Sequence, residues 1–406
     1  MRLLARLAWR NLGRSRRRTA LMVAVVALST WAIVVLWGVT DGFMRTTIDA
    51  QLRLDTGDLQ VHRAGYLGDR DLSTALNVNQ LDVIRNQLAS MDVVQAASAR
   101  IELNGLLKSA YGSTGVAIRG VEIPNETDVT DIVEALADGA FLAGEHQIVL
   151  GEALARDLDV RVGERVVLEA QGTQRQESRA FRLVGTVETG LTTLDRRTAF
   201  VPLADAQALS GQSGATHVAV ALRPGASADH VADELEQALG PPLAASTLFD
   251  LNPLLANMVK ISNFEMMPTM IVLSLLAGFG VANTVMFTVL ERTREFGVLT
   301  AVGLKPRKLG LLILCESTLA SLLGFAIGGV AGYGVNAYLA RFGIDLSFYP
   351  DSFTGPIGMP HVLYAETSGW YWLYGLSVVI LTALVAAWYP ARRAMKLEPT
   401  EAMRHV

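Results

Sequence analysis

The chain has 406 residues, of which 51% are hydrophobic and 18% charged. An average soluble domain carries about 25% charge, so part of this chain is expected to dissolve in lipid, and the apolar content excludes a disordered protein. A single cysteine, Cys315, excludes an internal disulfide framework and a cysteine-based zinc cluster, and the net charge of −4 argues against a nucleic-acid binder.

Residues 1–18 hold seven arginines (Arg2, Arg6, Arg10, Arg14, Arg16, Arg17 and Arg18) and no acid. Leu3, Leu4, Leu7 and Ala8 fall on one helical side with arginines opposite and Trp9 at headgroup level. That pattern suits an amphipathic segment lying in the inner-leaflet interface, and it also serves as a basic orientation signal. Residues 19–40 carry no charge. At about 1.5 Å per residue, roughly 20 helical residues cross the ~30 Å hydrocarbon core, so this is expected to be transmembrane helix 1. The alternative is a cleaved signal peptide, but the apolar run is long and no A-x-A-like site follows it.

Residues 41–267 read as a folded α+β domain. Short or alternating apolar runs at 58–63, 115–123, 147–150, 165–169, 181–187, 199–203 and 217–222 predict strands, separated by Gly, Pro and polar clusters. Helical spacing appears at Leu81, Ile84, Leu88 and Met91, and at Val231, Leu235, Ala238 and Leu239. Parts of residues 127–137 and 152–158 read as further short helices. Three more spans follow: 268–290; 309–340, broken only by Glu316; and 370–389. They are separated by a 291–308 helix and loop, a 341–369 loop and a 390–406 tail.

Charge sets the orientation. Five bases face two acids in residues 291–310, and four face two in 390–406, whereas 341–369 has one base and three acids. The positive-inside rule therefore puts both termini and the 291–308 loop in the cytoplasm. The 41–267 domain, with 18 bases and 31 acids, then lies outside.

Catalytic motifs are missing. His62, His146, His217, His230, His361 and His405 are scattered, with no H-E-x-x-H, no G-x-S-x-G and no P-loop. No catalytic or metal-ligating residue is expected. Cys315 reads as a small apolar residue in lipid. Glu316 lies about two turns in from Lys308. Either it snorkels or pairs with cytoplasmic arginines, or it is a polar link tying span 3 to the 291–308 helix. In span 3, Ala320, Gly324, Gly328 and Gly332 recur every four residues, a stripe for close helix packing, within this chain or against a second subunit. Gly278 and Ala282 make a shorter version in span 2. Trp37, Phe43, Met44, Phe264, Met266, Met267 and Ile271 sit where spans 1 and 2 meet the outer domain. They suit either an aromatic belt with ordinary core or an adaptable apolar portal for acyl chains.

The loop Glu291 to Lys308 is the most distinctive stretch. Read as one amphipathic helix, it puts Glu291 and Glu295 one turn apart, and Arg294 and Val298 likewise, with Gly303 able to end it. It resembles the coupling segment of the MacB/LolC-LolE/FtsX-type (type VII, mechanotransmitting) ABC transporter permeases, roughly E-R-x-R-E-[IF]-G-x-L-R-A-x-G-A. Glu291, Arg292, Arg294, Glu295, Phe296, Gly297, Leu299, Ala301 and Gly303 match. Thr300 stands for the usual basic residue and Leu304 for the usual small one. Similarity extends to Ala8-Trp9-Arg10-Asn11-Leu12, to Glu316 before the glycine row, and to Tyr389-Pro390-Ala391-Arg392-Arg393-Ala394 with Pro399 and Ala402. Segments 57–61, 148–156, 162–166 and 181–203 look most like the lipoprotein-releasing LolC/LolE branch.

The resemblance implies a four-helix permease with a large α+β extracytoplasmic domain inserted between helices 1 and 2, in a bacterial inner membrane. It implies that ATP and Mg are bound by a separate ABC ATPase dimer, contacted through the matched loop residues and Lys305. It further implies a second permease subunit, identical or homologous, surrounding membrane lipids, a lipoprotein substrate and a periplasmic carrier. An FtsX-like permease signalling to a periplasmic partner, or an efflux or peptide-resistance permease, are the alternatives.

Overall fold

The structure is a computed structural model, and it describes residues 8, 10–12, 16–69, 72–173, 175–345, 362–366 and 370–396. Leu3, Leu4, Leu7 and Trp9 of the basic segment, most of the 341–369 loop, and the tail beyond 396 with Pro399 and Ala402 lie outside the described residues. The chain divides into two compact units: residues 1–44, 260–344 and 363–406, and residues 45–259 and 345–362.

Helix α1, Arg16–Gln51, runs into a single π-helical turn at Leu52–Thr56. Then come β1 (Leu59–Arg63), α2 (Val78–Ala89), β2 (Val94–Lys108), β3 (Ser113–Val121), α3 (Ile123–Val129), β4 (Leu136–Gly139), β5 (Gln147–Gly151) and α4 (Glu152–Asp157). They are followed by β6 (Arg165–Gln171), β7 (Gln176–Val187), α5 (Thr192–Arg197), β8 (Thr198–Pro202), α6 (Leu203–Ser210), β9 (His217–Leu222), α7 (Ala228–Leu239) and β10 (Leu243–Thr247). The sheet order is β10-β1-β9-β2-β3-β8-β5-β7-β4, with β6 pairing both β2 and β7. Strands β2, β3, β8, β5, β7 and β6 therefore close a circuit, which removes exposed edges, while β9, β1 and β10 continue from it as a wing.

Strand β2 is the hub of this sheet. Its first half pairs β9, its last four residues pair β6, and Arg100 to Lys108 pair β3 along the other edge. Inside lie Ile101, Leu107, Ile118, Ile148, Leu168 and Phe181, all buried, covered in part by Ile84 of α2 and Leu235 of α7. Of the predicted helical faces, Leu81, Ile84 and Leu88 in α2 and Val231 and Leu235 in α7 are buried, whereas Leu239 is half-buried, Ala238 is exposed and Met91 lies beyond the end of α2. Within 127–137, residues 127–129 are helical as the end of α3, and the rest is not. Pro124 opens α3 four residues before Asp128, and residues 136–139 are a strand on β7 instead.

The remaining helices are α8 (Pro253–Glu291), α9 (Thr293–Ala301), α10 (Pro306–Phe342) and α11 (Trp370–Met395). Among the described residues, α1, α8, α10 and α11 are long and apolar enough to cross a membrane. Each predicted span lies within a longer helix: 370–389 begins at the first residue of α11, and 268–290 is the last part of α8, which starts well before residue 268 and carries Pro268 within it.

Glycines set how closely these rods approach. A Cβ on Gly328 would lie 2.1 Å from the Ala27 carbonyl oxygen, on Gly324 2.8 Å from the Val23 carbonyl, and on Gly332 2.9 Å from Val34. The small-residue stripe of α10 is thus filled by α1 of the same chain, at backbone contact. Gly38 makes room in turn for Asn336, whose amide donates to the Val34 carbonyl at 2.9 Å. On α8, Gly280 faces Val25 and Gly278 faces Thr382 of α11.

Candidate functional site

The matched loop and the base of α10 form one polar node. Helix α8 stops at Glu291 because Arg292 leaves helical geometry, with φ −98° and ψ 13°. That turn aims its side chain inward. Its Nε donates to Glu295 at 3.0 Å, its Nη1 donates to Glu316 at 3.3 Å, and the guanidinium lies 5.1 Å over the Phe296 ring. Glu316 also accepts from the Asn11 side-chain amide, and Arg18 pairs with Glu291. One carboxylate on α10 therefore holds both the segment preceding α1 and the start of α9. Its pairing with Arg292 ties span 3 to the loop.

The break corrects one detail of the sequence reading. Glu291 and Glu295 do not share a helix, and each has its own arginine. Helix α9 has two faces. Thr293, Phe296 and Gly297 are buried, with Phe296 packed in the cluster of Val289, Leu309, Ile313, Ala391 and Ala394. Arg294, Val298, Leu299 and Val302 are exposed, Val302 by 84%. Gly303, at φ 103°, ends the helix as expected, with Leu304 N–H donating to the Leu299 carbonyl at 3.0 Å. Lys305 is exposed at the start of α10. The node thus presents an exposed apolar surface, Val298, Leu299 and Val302, flanked by the charges of Arg294 and Lys305.

The other predicted residues are distributed. Ala320 lines a small cavity beside Glu316. Phe264, Met267 and Ile271 are exposed, and Trp37, Phe43, Met44 and Met266 are half-buried. Of these seven, Ile271 lines a groove of about 500 Å³ between α8 and α11, beside Met270, Leu275, Phe279, Val378 and Leu381.

Three features of the outer unit escape the sequence reading. Arg100, fully buried, makes a two-point pair with buried Glu126 at 2.7 and 3.0 Å. Arg119 pairs with Asp55 at 2.6 Å and Glu102 at 2.7 Å. Burial pushes the Glu126 carboxyl up, but Arg100 prevails and holds it below its ordinary value. Burial likewise opposes charge on Arg119, whose pKa Asp55 and Glu102 nonetheless raise. Second, His62 and His217 stand opposite each other on β1 and β9, with the Tyr66 ring 5.8 and 6.1 Å from their rings. Burial pushes His217 down to about 3 and lowers His62. Third, Arg165 and Arg182 are directly opposed across β6 and β7, both exposed. Neither has an acidic partner among the described residues, although like charges opposite each other destabilise a sheet. Alternation with buried neighbours marks these arginines; Arg100 gives no such signal, because β2 does not alternate.

Two family models match this chain. Residues 19–238 match the MacB-like periplasmic core domain and residues 269–399 the FtsX-like permease C-terminal domain. The chain belongs to the LolC/MacB family of type VII permeases. It is thus a multi-pass membrane permease of the ABC transporter class with a MacB-like periplasmic domain. It is 27% identical to the lipoprotein-releasing system transmembrane protein LolC of Xylella fastidiosa, covering 77% of this chain and 78% of that one. With LolC of Neisseria meningitidis the identity is 24%, covering 95% and 94%. With the macrolide export ATP-binding/permease protein MacB of Burkholderia lata it is 23%, over 98% of this chain but 56% of the relative.

Proposed function

We propose that this permease converts ATP-driven closure of a separate ABC ATPase dimer into movement of its outer domain, and that the work extracts a lipoprotein from the membrane. In this reading residues 41–267 are periplasmic, inserted between spans 1 and 2, and both termini and residues 291–308 are cytoplasmic in a bacterial inner membrane. ATP and Mg belong to the partner ATPase. A second permease, identical or homologous, completes the assembly, and a periplasmic carrier receives the cargo. The chain itself is non-catalytic.

The observation that carries this reading is the tie from α9 to α10. A push on the exposed Val298, Leu299 and Val302 face reaches Glu316 through Arg292 without passing through a flexible side chain on the surface. A charge-assisted, stacked guanidinium is a stiff link. The exposed Arg165–Arg182 pair supports docking of a partner that presents acidic groups. The LolC relatives, by their names, favour lipidated cargo, and the MacB relative supplies the rival of efflux.

The test is reconstitution in proteoliposomes with the ATPase. Glu295→Lys places a positive charge beside Arg292, and we expect ATP hydrolysis to continue while cargo release falls by about tenfold. Unimpaired release would remove the node from the mechanism. Photo-crosslinking at Phe43 or Met267 separates the cargo classes: adducts with lipidated protein support extraction, and a macrolide adduct in their place supports efflux. A functional complex with neither points to signalling.

A further inference from the structure

A cluster of buried and half-buried charge gathers at the end of α1: Arg100, Glu126, Arg119 and Asp55. Helix C-termini leave carbonyls without partners, and the π turn at Leu52–Thr56 exposes the Asp55 carbonyl. Arg100 Nη1 donates to that oxygen at 2.6 Å while its other nitrogens hold Glu126. Arg119 takes the Asp55 carboxylate and Glu102. Glu126 is steadied by Thr130 at 3.2 Å, and the Asp131 N–H donates to the Arg53 carbonyl at 2.8 Å. Ala50 and Leu54 pack on the cluster of Val121, Ile132, Phe141 and Phe200. The two arginines stand on the adjacent strands β2 and β3, at the hub of the sheet.

Buried ion pairs are poor stabilisers compared with apolar side chains of the same volume. What they supply is direction: a two-point arginine pair holds its partner in one orientation. We propose that the π turn is the joint through which α1 drives the outer domain, with Arg100 and Arg119 as the positioning residues that pin it to β2 and β3. The start of α8 is held differently, by apolar contacts of Leu255 and Met258 with Ile48, Leu52 and Leu248, which permit sliding. On this proposal the stroke enters the domain through the first helix and the second follows. The proposal rests on the mechanical reading above.

The test places spin labels at Asp49→Cys on α1 and Ser113→Cys on β3, with Cys315→Ser, in the full-length protein. Pulsed electron resonance should give one narrow distance for the pinned joint. Replacing the pair as Arg100→Met with Glu126→Leu keeps the volume filled, so the domain should melt within a few degrees of its normal temperature. The distance distribution should broaden at least about twofold, and ATP-coupled release should fall with hydrolysis retained. Asp55→Asn, at a partly exposed position, should broaden it less and serves if the double substitution does not fold. A distribution that stays narrow in a folded variant overturns the joint. A broadened one in a complex that releases no lipoprotein even unmutated leaves the joint standing and overturns the cargo reading instead.

Discussion

The outer unit and the membrane unit meet the same difficulty, placing polar groups where water is absent, and they resolve it in opposite ways. In the outer unit the buried polar residues reach across the fold: Arg100 to Glu126, and His62 to Ser246 at 2.9 Å. In the membrane unit most stay at home. Thr284, Thr288 and Thr318 return their hydroxyls to carbonyls four residues back on their own helices, each at 2.8 Å. What joins one membrane helix to the next is shape, glycine against backbone, with Asn336 and the Glu316 node as directional exceptions. The outer unit thus depends on pairs that can be broken by removing one partner. The membrane unit depends on gaps that can be spoiled by adding an atom.

That contrast can be broken most forcefully at Arg100. Arg100→Ala leaves Glu126 buried and uncompensated and should destabilise the outer unit by about 3–5 kcal/mol, visible as an early calorimetric transition. A loss no larger than that of the apolar double replacement would show that the pair is not what holds the site. In the membrane unit, Gly328→Val drives a side chain into the Ala27 carbonyl and should cost about 1–3 kcal/mol or more, read as faster unfolding in detergent. Normal unfolding would mean that α1 and α10 do not meet there. The most gradual effect is titration. His217, held near 3, and His62 are neutral in the folded chain, so the unfolded chain binds more protons below its ordinary histidine value. Stability should therefore be full above about pH 6.5 and fall as pH drops towards 3. The slope is up to about 1.4 kcal/mol per pH unit for each histidine. Glu126, lowered, adds a loss of the same sign below about pH 4.5. His217→Gln should flatten the melting profile between pH 6.5 and 4.5, and an unchanged slope would exclude that residue as the source.

Local pattern was legible wherever periodicity and burial coincide. Leu81, Ile84 and Leu88 announce α2, and the apolar run of β9 announces a strand buried on both sides. Strand β2 was not legible, although it is the longest. Its Ala, Ser, Arg and Glu residues show neither alternation nor β-branched enrichment, because Arg100 and Glu102 are accommodated by pairings that only the folded sheet supplies. With β2 hidden, the charge cluster at the end of α1 was hidden too. In the membrane unit the glycine row could be read but not its partner, since spacing within one helix says nothing about which helix fills it. Likewise the loop's helix was visible, whereas its break at Arg292 depends on Glu316, 24 residues further on. The seven portal residues share a level along the chain, and level alone does not gather side chains into a pocket.

The contact of Gly324, Gly328 and Gly332 with α1 has a corollary for traffic through the bilayer. A slot that refuses a methyl group also refuses a hydrocarbon tail, so that flank of the bundle is barred to lipid. On the proposed extraction of lipidated cargo, the acyl tail would have to travel along a different side of these helices.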